Sequence, residues 1–244
     1  MVSCRDGSIE YPNGTKAIDG ESVDIKPGQI ILLTGTSNSG KTSFLNALLR
    51  LMPVSAGELL LDGRPVTEHD IRELRRSAVY LTQDDALLPL SLRDNVFLGT
   101  GLADDTDSTN VLAQRALDLA GFVGTPDLTL DSLLERVAMI DQSISKDIVV
   151  AARAFARLLS GNTRLVLVDN AFAELDGPSE LALLDRILAH RGGATVIVSG
   201  RLAYLGERAD LILCMDKGKI VQRGTHEVLV RDDEGVYAKL YDAN

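Results

Sequence analysis

The segment Gly35-Thr36-Ser37-Asn38-Ser39-Gly40-Lys41-Thr42 has the residue types and spacing to hold a polyphosphate. It satisfies G-x-x-x-x-G-K-[ST], follows the apolar run 29–33 and opens a helix-compatible stretch over 42–50. Glycines at both ends let the backbone curl so that successive N–H groups face phosphate oxygens, and the positive end of the following helix adds its field. Lys41 supplies charge against the terminal phosphates and Thr42 a hydroxyl suited to Mg²⁺, with Ser43 next in the same turn. Asp169 closes a second apolar run, 165–168, where a carboxylate is costly unless it is used.

These groups need strand ends to carry them. Clusters of β-branched and aliphatic residues predict strands at 22–25, 29–33, 79–81, 164–168, 195–198, 211–215 and 219–221, the first of them short and antiparallel. Helical stretches alternate with them, which predicts an α/β fold with a mostly parallel sheet. The span from about 92 to 160 lacks a central strand and shows helical periodicity at 111–120 and 148–158, so we read a helical subdomain inserted in one domain covering 1–244.

Composition bounds the partners. A chain of 244 residues with 45% hydrophobic side chains can bury a sizeable core. Its formal net charge of −10, with no run of Lys or Arg, argues against nucleic acid. The two cysteines, Cys4 and Cys214, lack metal-ligand spacing, and no signal peptide stands at the N-terminus, so a cytoplasmic location is expected. Apolar runs such as 165–168 fall far short of the ~20 residues of a membrane-spanning helix. A membrane part would have to be another polypeptide or another region of a longer one. A small GTPase also opens with a phosphate loop, but no N-K-x-D occurs. The D-x-x-G matches at Asp118–Gly121 and Asp232–Gly235 follow no buried strand, so that class is rejected.

From about residue 8 to 241 the order and spacing of motifs resemble the ATP-binding domain of ABC transporters, a P-loop NTPase of RecA-like fold with N-terminal antiparallel strands. The exporter branch is the most similar. Its marks are Ser91-Leu92-Arg93-Asp94-Asn95-Val96-Phe97-Leu98-Gly99 and the stretch from Asp216 through Lys217-Gly218 to His226, followed by Gly235-Val236-Tyr237. The resemblance implies that Tyr11, 24 residues before Gly35, stacks on adenine. It implies that Gln83 is the Q-loop glutamine reaching Mg²⁺ and that Asp169 is the Walker B aspartate. ATP and Mg²⁺ are then the cofactors. The partners are a second nucleotide-binding domain, identical or different, and a transmembrane domain in the same or another chain, at the inner face of the membrane.

The sequence departs from that family where hydrolysis is performed. Asn170 replaces the glutamate that deprotonates the attacking water, and an amide accepts no proton, which removes a factor of ~10²–10⁴. Gly200, 31 residues after Asp169, stands in place of the switch histidine; Ser199 is the candidate donor in its stead, and Glu174 the candidate base. The signature motif falls on Asp141-Gln142-Ser143-Ile144-Ser145, where Ser143 or Ser145 can cap the helix but Ile144 replaces a glycine. Leu159-Ser160-Gly161-Asn162 reads as a loop, and Asp176 matches the D-loop. The expectation is an exporter domain that binds Mg²⁺-ATP, pairs with another such domain and hydrolyses slowly or not at all. The alternatives are an active transport ATPase with substitute residues or groups from a partner chain, and a soluble regulatory pseudo-ATPase.

Overall fold

The computed structural model describes residues 1–101, 107–123, 129–134, 145–172, 175–200 and 203–242. In chain order they form β1 (Val2–Glu10), β2 (Lys16–Ile25), β3 (Ile30–Gly35), α1 (Lys41–Leu48), β4 (Ala56–Leu61), β5 (Arg64–Pro65), α2 (Ile71–Arg76) and β6 (Ala78–Thr82). Then come α3 (Leu92–Val96), α4 (Asp107–Ala120), α5 (Lys146–Leu159), β7 (Leu165–Asp169), α6 (Gly177–His190) and β8 (Thr195–Ser199). The chain ends with α7 (Ala203–Gly206), β9 (Leu211–Asp216), β10 (Lys219–Gly224), α8 (His226–Leu229) and α9 (Val236–Asp242). Two compact units result, one of Met1–Ala78, Arg164–Asp169 and Gly193–Asn244, the other of Val79–Thr163 and Asn170–Gly192.

The first unit holds both kinds of sheet that the sequence predicts. An antiparallel sheet runs β2-β1-β4-β5, and a second follows the order β10-β9-β3-β8-β7, parallel except for the β9–β10 hairpin. Every residue of β7 and β8 is buried, as strands covered on both faces require. Fully buried Ile31, Val166, Leu167, Val196, Ile197 and Ile212 centre the core, each contributing about 1.5–3 kcal/mol by its removal from water. One expectation fails: the first strands are long, at nine and ten residues. Their ladder shifts register between Cys4 and Gly7, between Gly7 and Ile9, and between Ile9 and Glu10. Such bulges keep the chain paired while breaking the alternation by which a strand is read from sequence.

The second unit is mainly helical. Ser145 caps α5, its Oγ accepting from Asp147 N at 3.2 Å, and Val149, Val150, Ala151, Ala152, Phe155 and Ala156 are buried along it. Two arginines on α5 hold the segment around α3 by its carbonyls. Arg153 donates through Nε to Asn95 O at 3.0 Å and through Nη2 to Ala86 O at 3.2 Å, and Arg157 donates to Gly99 O. Burial lowers the pKa of both guanidinium groups, and for Arg157 the like charge of Arg153 adds to it. Phe155 meets His190 of α6 edge-on at 6.0 Å. Helix α5 stops at Leu159, and Gly161 with φ 82 turns the chain, so 159–162 ends a helix and opens a loop. Among the described residues no helix is long and apolar enough to cross a membrane.

Candidate functional site

In the first unit three parallel strands end side by side. Leu33 of β3 lies opposite Ser199 of β8, and Ser199 lies opposite Asp169 of β7. The loop 35–40 therefore starts beside the carboxyl ends that carry Ser199 and Asp169, where parallel α/β sheets bind ligands. Asp169 and Ser199 are both buried, at 8% and 2% exposure. The backbone N–H of Gly200 donates to Leu33 O at 3.2 Å, so its one polar donor is spent on the sheet.

The loop is shaped by two glycines that admit no side chain. A Cβ on Gly35 would lie 2.0 Å from Met215 O, and one on Gly40 would lie 2.1 Å from Ala17 O. Their φ angles of +147° and +104° favour glycine as well. Gly40 is the N-cap of α1, which has no side-chain cap and no acid in its first turn. Helices α2, α3, α5 and α6 are capped instead by Asp70, Ser91, Ser145 and Asp176. The start of α1 thus carries neither a side-chain cap nor an acid, and the helix field favours an anion there. Lys41 Nζ donates to Thr36 O at 2.8 Å, Gly35 O at 3.1 Å and Ser39 Oγ at 3.2 Å. Thr36, Ser37, Asn38 and Thr42 are exposed, whereas Ser39 and Ser43 are buried.

Two distant segments brace this loop within the same unit. Thr36 Oγ1 donates at 3.0 Å to Asp216 Oδ1, at the end of β9, and Gly218 N, in the turn after β9, donates to Ser39 O at 3.1 Å. The hydroxyls of Tyr11 and Ser43 lie 2.9 Å apart, which ties the β1–β2 turn to α1 while Tyr11 stays 43% exposed. Asp216 is a site residue that sequence reasoning missed. It lies 180 positions from Thr36, and the exporter-like stretch that it opens did not signal this contact.

In the second unit Gln83, just after β6, meets Asn170, whose Nδ2 donates to Gln83 Oε1 at 3.3 Å. Asn170 has φ 52°, a left-handed conformation that asparagine tolerates better than most residues. Lys146 Nζ donates to Gln83 O at 3.1 Å, a second contact that the sequence did not signal. Asp176 accepts from Ser179 N at 2.9 Å and from Ser179 Oγ at 3.0 Å. Those bonds, the backbone one first, hold its carboxyl below the usual range. Residues 141–144 of the signature segment and the candidate base Glu174 lie outside the described residues.

Residues 18–173 match the family model described as ABC transporter, a stretch that includes the loop, Gln83, Asp169 and Asn170. This chain belongs to the ABC transporter family. Among its relatives is the ATP-dependent lipid A-core flippase of Acinetobacter baylyi, 29% identical over 240 residues, which are 97% of this chain and 40% of that one. The flippase of the same name from Burkholderia orbicola is 33% identical over 244 residues, 98% of this chain and 38% of that one. This family member therefore spans about two fifths of the length of the curated relatives it matches. A solved structure described as a bacterial Atm1-family ABC exporter with ATP bound superposes with a TM-score of 0.85 at 23% identity, over 99% of this chain and 41% of the other. That likeness shows the fold, the α/β P-loop NTPase with its added antiparallel sheet and helices.

Proposed function

We propose that this chain is the nucleotide-binding domain of an ABC exporter, a single domain over 1–244 with a helical subdomain inserted at about 92–160. It binds Mg²⁺-ATP, pairs with a second nucleotide-binding domain, identical or different, and gates transport with slow or absent hydrolysis. The observation that carries this reading is the glycine N-cap of α1, without a side-chain cap bond, beside Lys41 on a loop that admits no side chain at Gly35 or Gly40; α2, α3, α5 and α6 carry side-chain caps, whereas α8, after Thr225, does not. The glycine-shaped loop fits a chain of phosphates, because a Cβ at Gly35 or Gly40 would strike backbone oxygen. The relatives' flippase names and the exporter described for the structural neighbour support the transport role. The transmembrane domain, in the same or another chain, would hold this domain at the cytoplasmic face of the membrane.

In this reading Gly35, Thr36, Ser37, Asn38, Ser39, Gly40, Lys41, Thr42 and Ser43 bind the phosphates. Lys41 exchanges its loop carbonyls for phosphate oxygens, a charge-assisted bond in place of a weaker one. Tyr11 presents an exposed ring whose direction is set by its hydroxyl on Ser43, which suits stacking on adenine. The resemblance assigns Mg²⁺ to Thr42, Asp169 and Gln83, and the ion when bound would offset charge on the terminal phosphates. Asn170 can orient a water but cannot take its proton, and Gly200 offers no side chain, so the base and switch contributions are missing.

Titration of Mg²⁺-ATP with turnover measured on the same sample tests the reading, with Asp169→Asn as control. Saturable binding with turnover near that of Asp169→Asn is expected. Turnover typical of a transport ATPase, lost in Asp169→Asn, would overturn the impaired-hydrolysis part, and absence of binding would overturn the whole.

A further inference from the structure

Asn170 Nδ2 donates to Gln83 Oε1 at 3.3 Å, a bond between residues 87 positions apart. The acceptor is the one side-chain atom through which a glutamine can ligate a hard cation. Two further features hold the pair in this arrangement. The left-handed backbone of Asn170, at φ 52°, sets the direction in which its side chain leaves the chain. The main chain of Gln83 is held independently, since its carbonyl accepts from Lys146 Nζ at 3.1 Å.

We propose that Asn170 is a positioning residue that engages the metal-binding oxygen of Gln83, making the pair a latch that must open before Gln83 can serve Mg²⁺. The proposal rests on the reading of Gln83 as a metal ligand. A carboxylate at position 170 could not make this bond, because it would bring acceptor against acceptor. It would take Gln83 Nε2 instead and leave Oε1 turned away. The amide therefore has two effects. It withholds a proton acceptor, and it competes with the cation for a ligand.

The test uses Asn170→Gly, which keeps the left-handed backbone and removes the donor. Mn²⁺ is titrated by electron paramagnetic resonance into protein saturated with a non-hydrolysable ATP analogue. Asn170→Gly tightens Mn²⁺ binding by about two- to tenfold, the range that one neutral hydrogen bond supports, and has no effect in a Gln83→Ala background. An equal change in both backgrounds, or none in either, overturns the latch. In nucleotide-free protein the side-chain amide protons of Asn170, observed by NMR, shift on Gln83→Ala; an unmoved amide also overturns it. Failure of the wild-type chain to bind the analogue overturns the nucleotide reading and the latch's role toward metal, while the amide shift still reports on the bond itself.

Discussion

Helices α1 and α5 begin in opposite ways. The start of α1 has a glycine cap, no acid in its first turn and a lysine whose ammonium rests on the loop before it. The start of α5 is closed by its own residues, with Ser145 Oγ on Asp147 N and the buried carboxylate of Asp147 in the first turn. An acid there interacts favourably with the helix dipole by about 0.3–1 kcal/mol, and a capping hydroxyl adds about 1 kcal/mol. The resemblance to ABC ATPases assigns both helix starts to a nucleotide. Here one start has no side-chain cap, and the other is capped by its own serine.

The comparison breaks first at Lys41. Lys41→Ala should weaken Mg²⁺-ATP binding by about 1.5–3 kcal/mol, roughly ten- to a hundredfold by titration calorimetry, because it removes a charged donor from the open start. Equal affinity of mutant and wild type would end the case for α1 as the phosphate site. Tyr11→Ala should cost about 1 kcal/mol of affinity by the same measurement, and Tyr11→Phe less, since the ring remains when the tether to Ser43 is lost. If Tyr11→Phe weakened binding as much as Tyr11→Ala, the hydroxyl rather than the ring face would be what the site needs.

The closed start is sharpened by Ser145→Ala. Urea unfolding should show a loss of about 1 kcal/mol, with nucleotide affinity unchanged. A fall in affinity without loss of stability would mean that α5 meets the nucleotide after all. The smallest effect is expected from Asn170→Glu, which should raise turnover only slightly. Catalytic groups that act as a unit are strongly non-additive, and Gly200 still offers nothing to the transferring phosphate. The change should also destabilise by about 1 kcal/mol, because glutamate is poorly suited to φ 52°. Turnover typical of a working transport ATPase from this single change would contradict the roles given to Asn170 and Gly200.

What the sequence determined by itself was local. The loop 35–42 was legible because its glycines, its lysine and the apolar run before it occupy adjacent positions, and each constrains the backbone of the next. Strands β3, β7, β8 and β9 were legible for a similar reason: buried parallel strands are short continuous apolar runs, with a break at each end. The cap of α5 was narrowed to two serines, and Ser145 is the one whose oxygen meets the first turn.

Tertiary structure decided the pairings. The contacts of Tyr11 with Ser43, Thr36 with Asp216 and Gln83 with Asn170 join positions 32, 180 and 87 residues apart. A hydrogen bond needs its two atoms within about 3.5 Å and suitably directed, and periodicity in a sequence carries no information about that. The same reason explains the long β1 and β2, whose bulges are fixed by partners in the sheet rather than by their own alternation. It also explains how a single asparagine, read in sequence only as a lost base, became in the folded chain a donor held against Gln83, because only folding sets the direction of its amide.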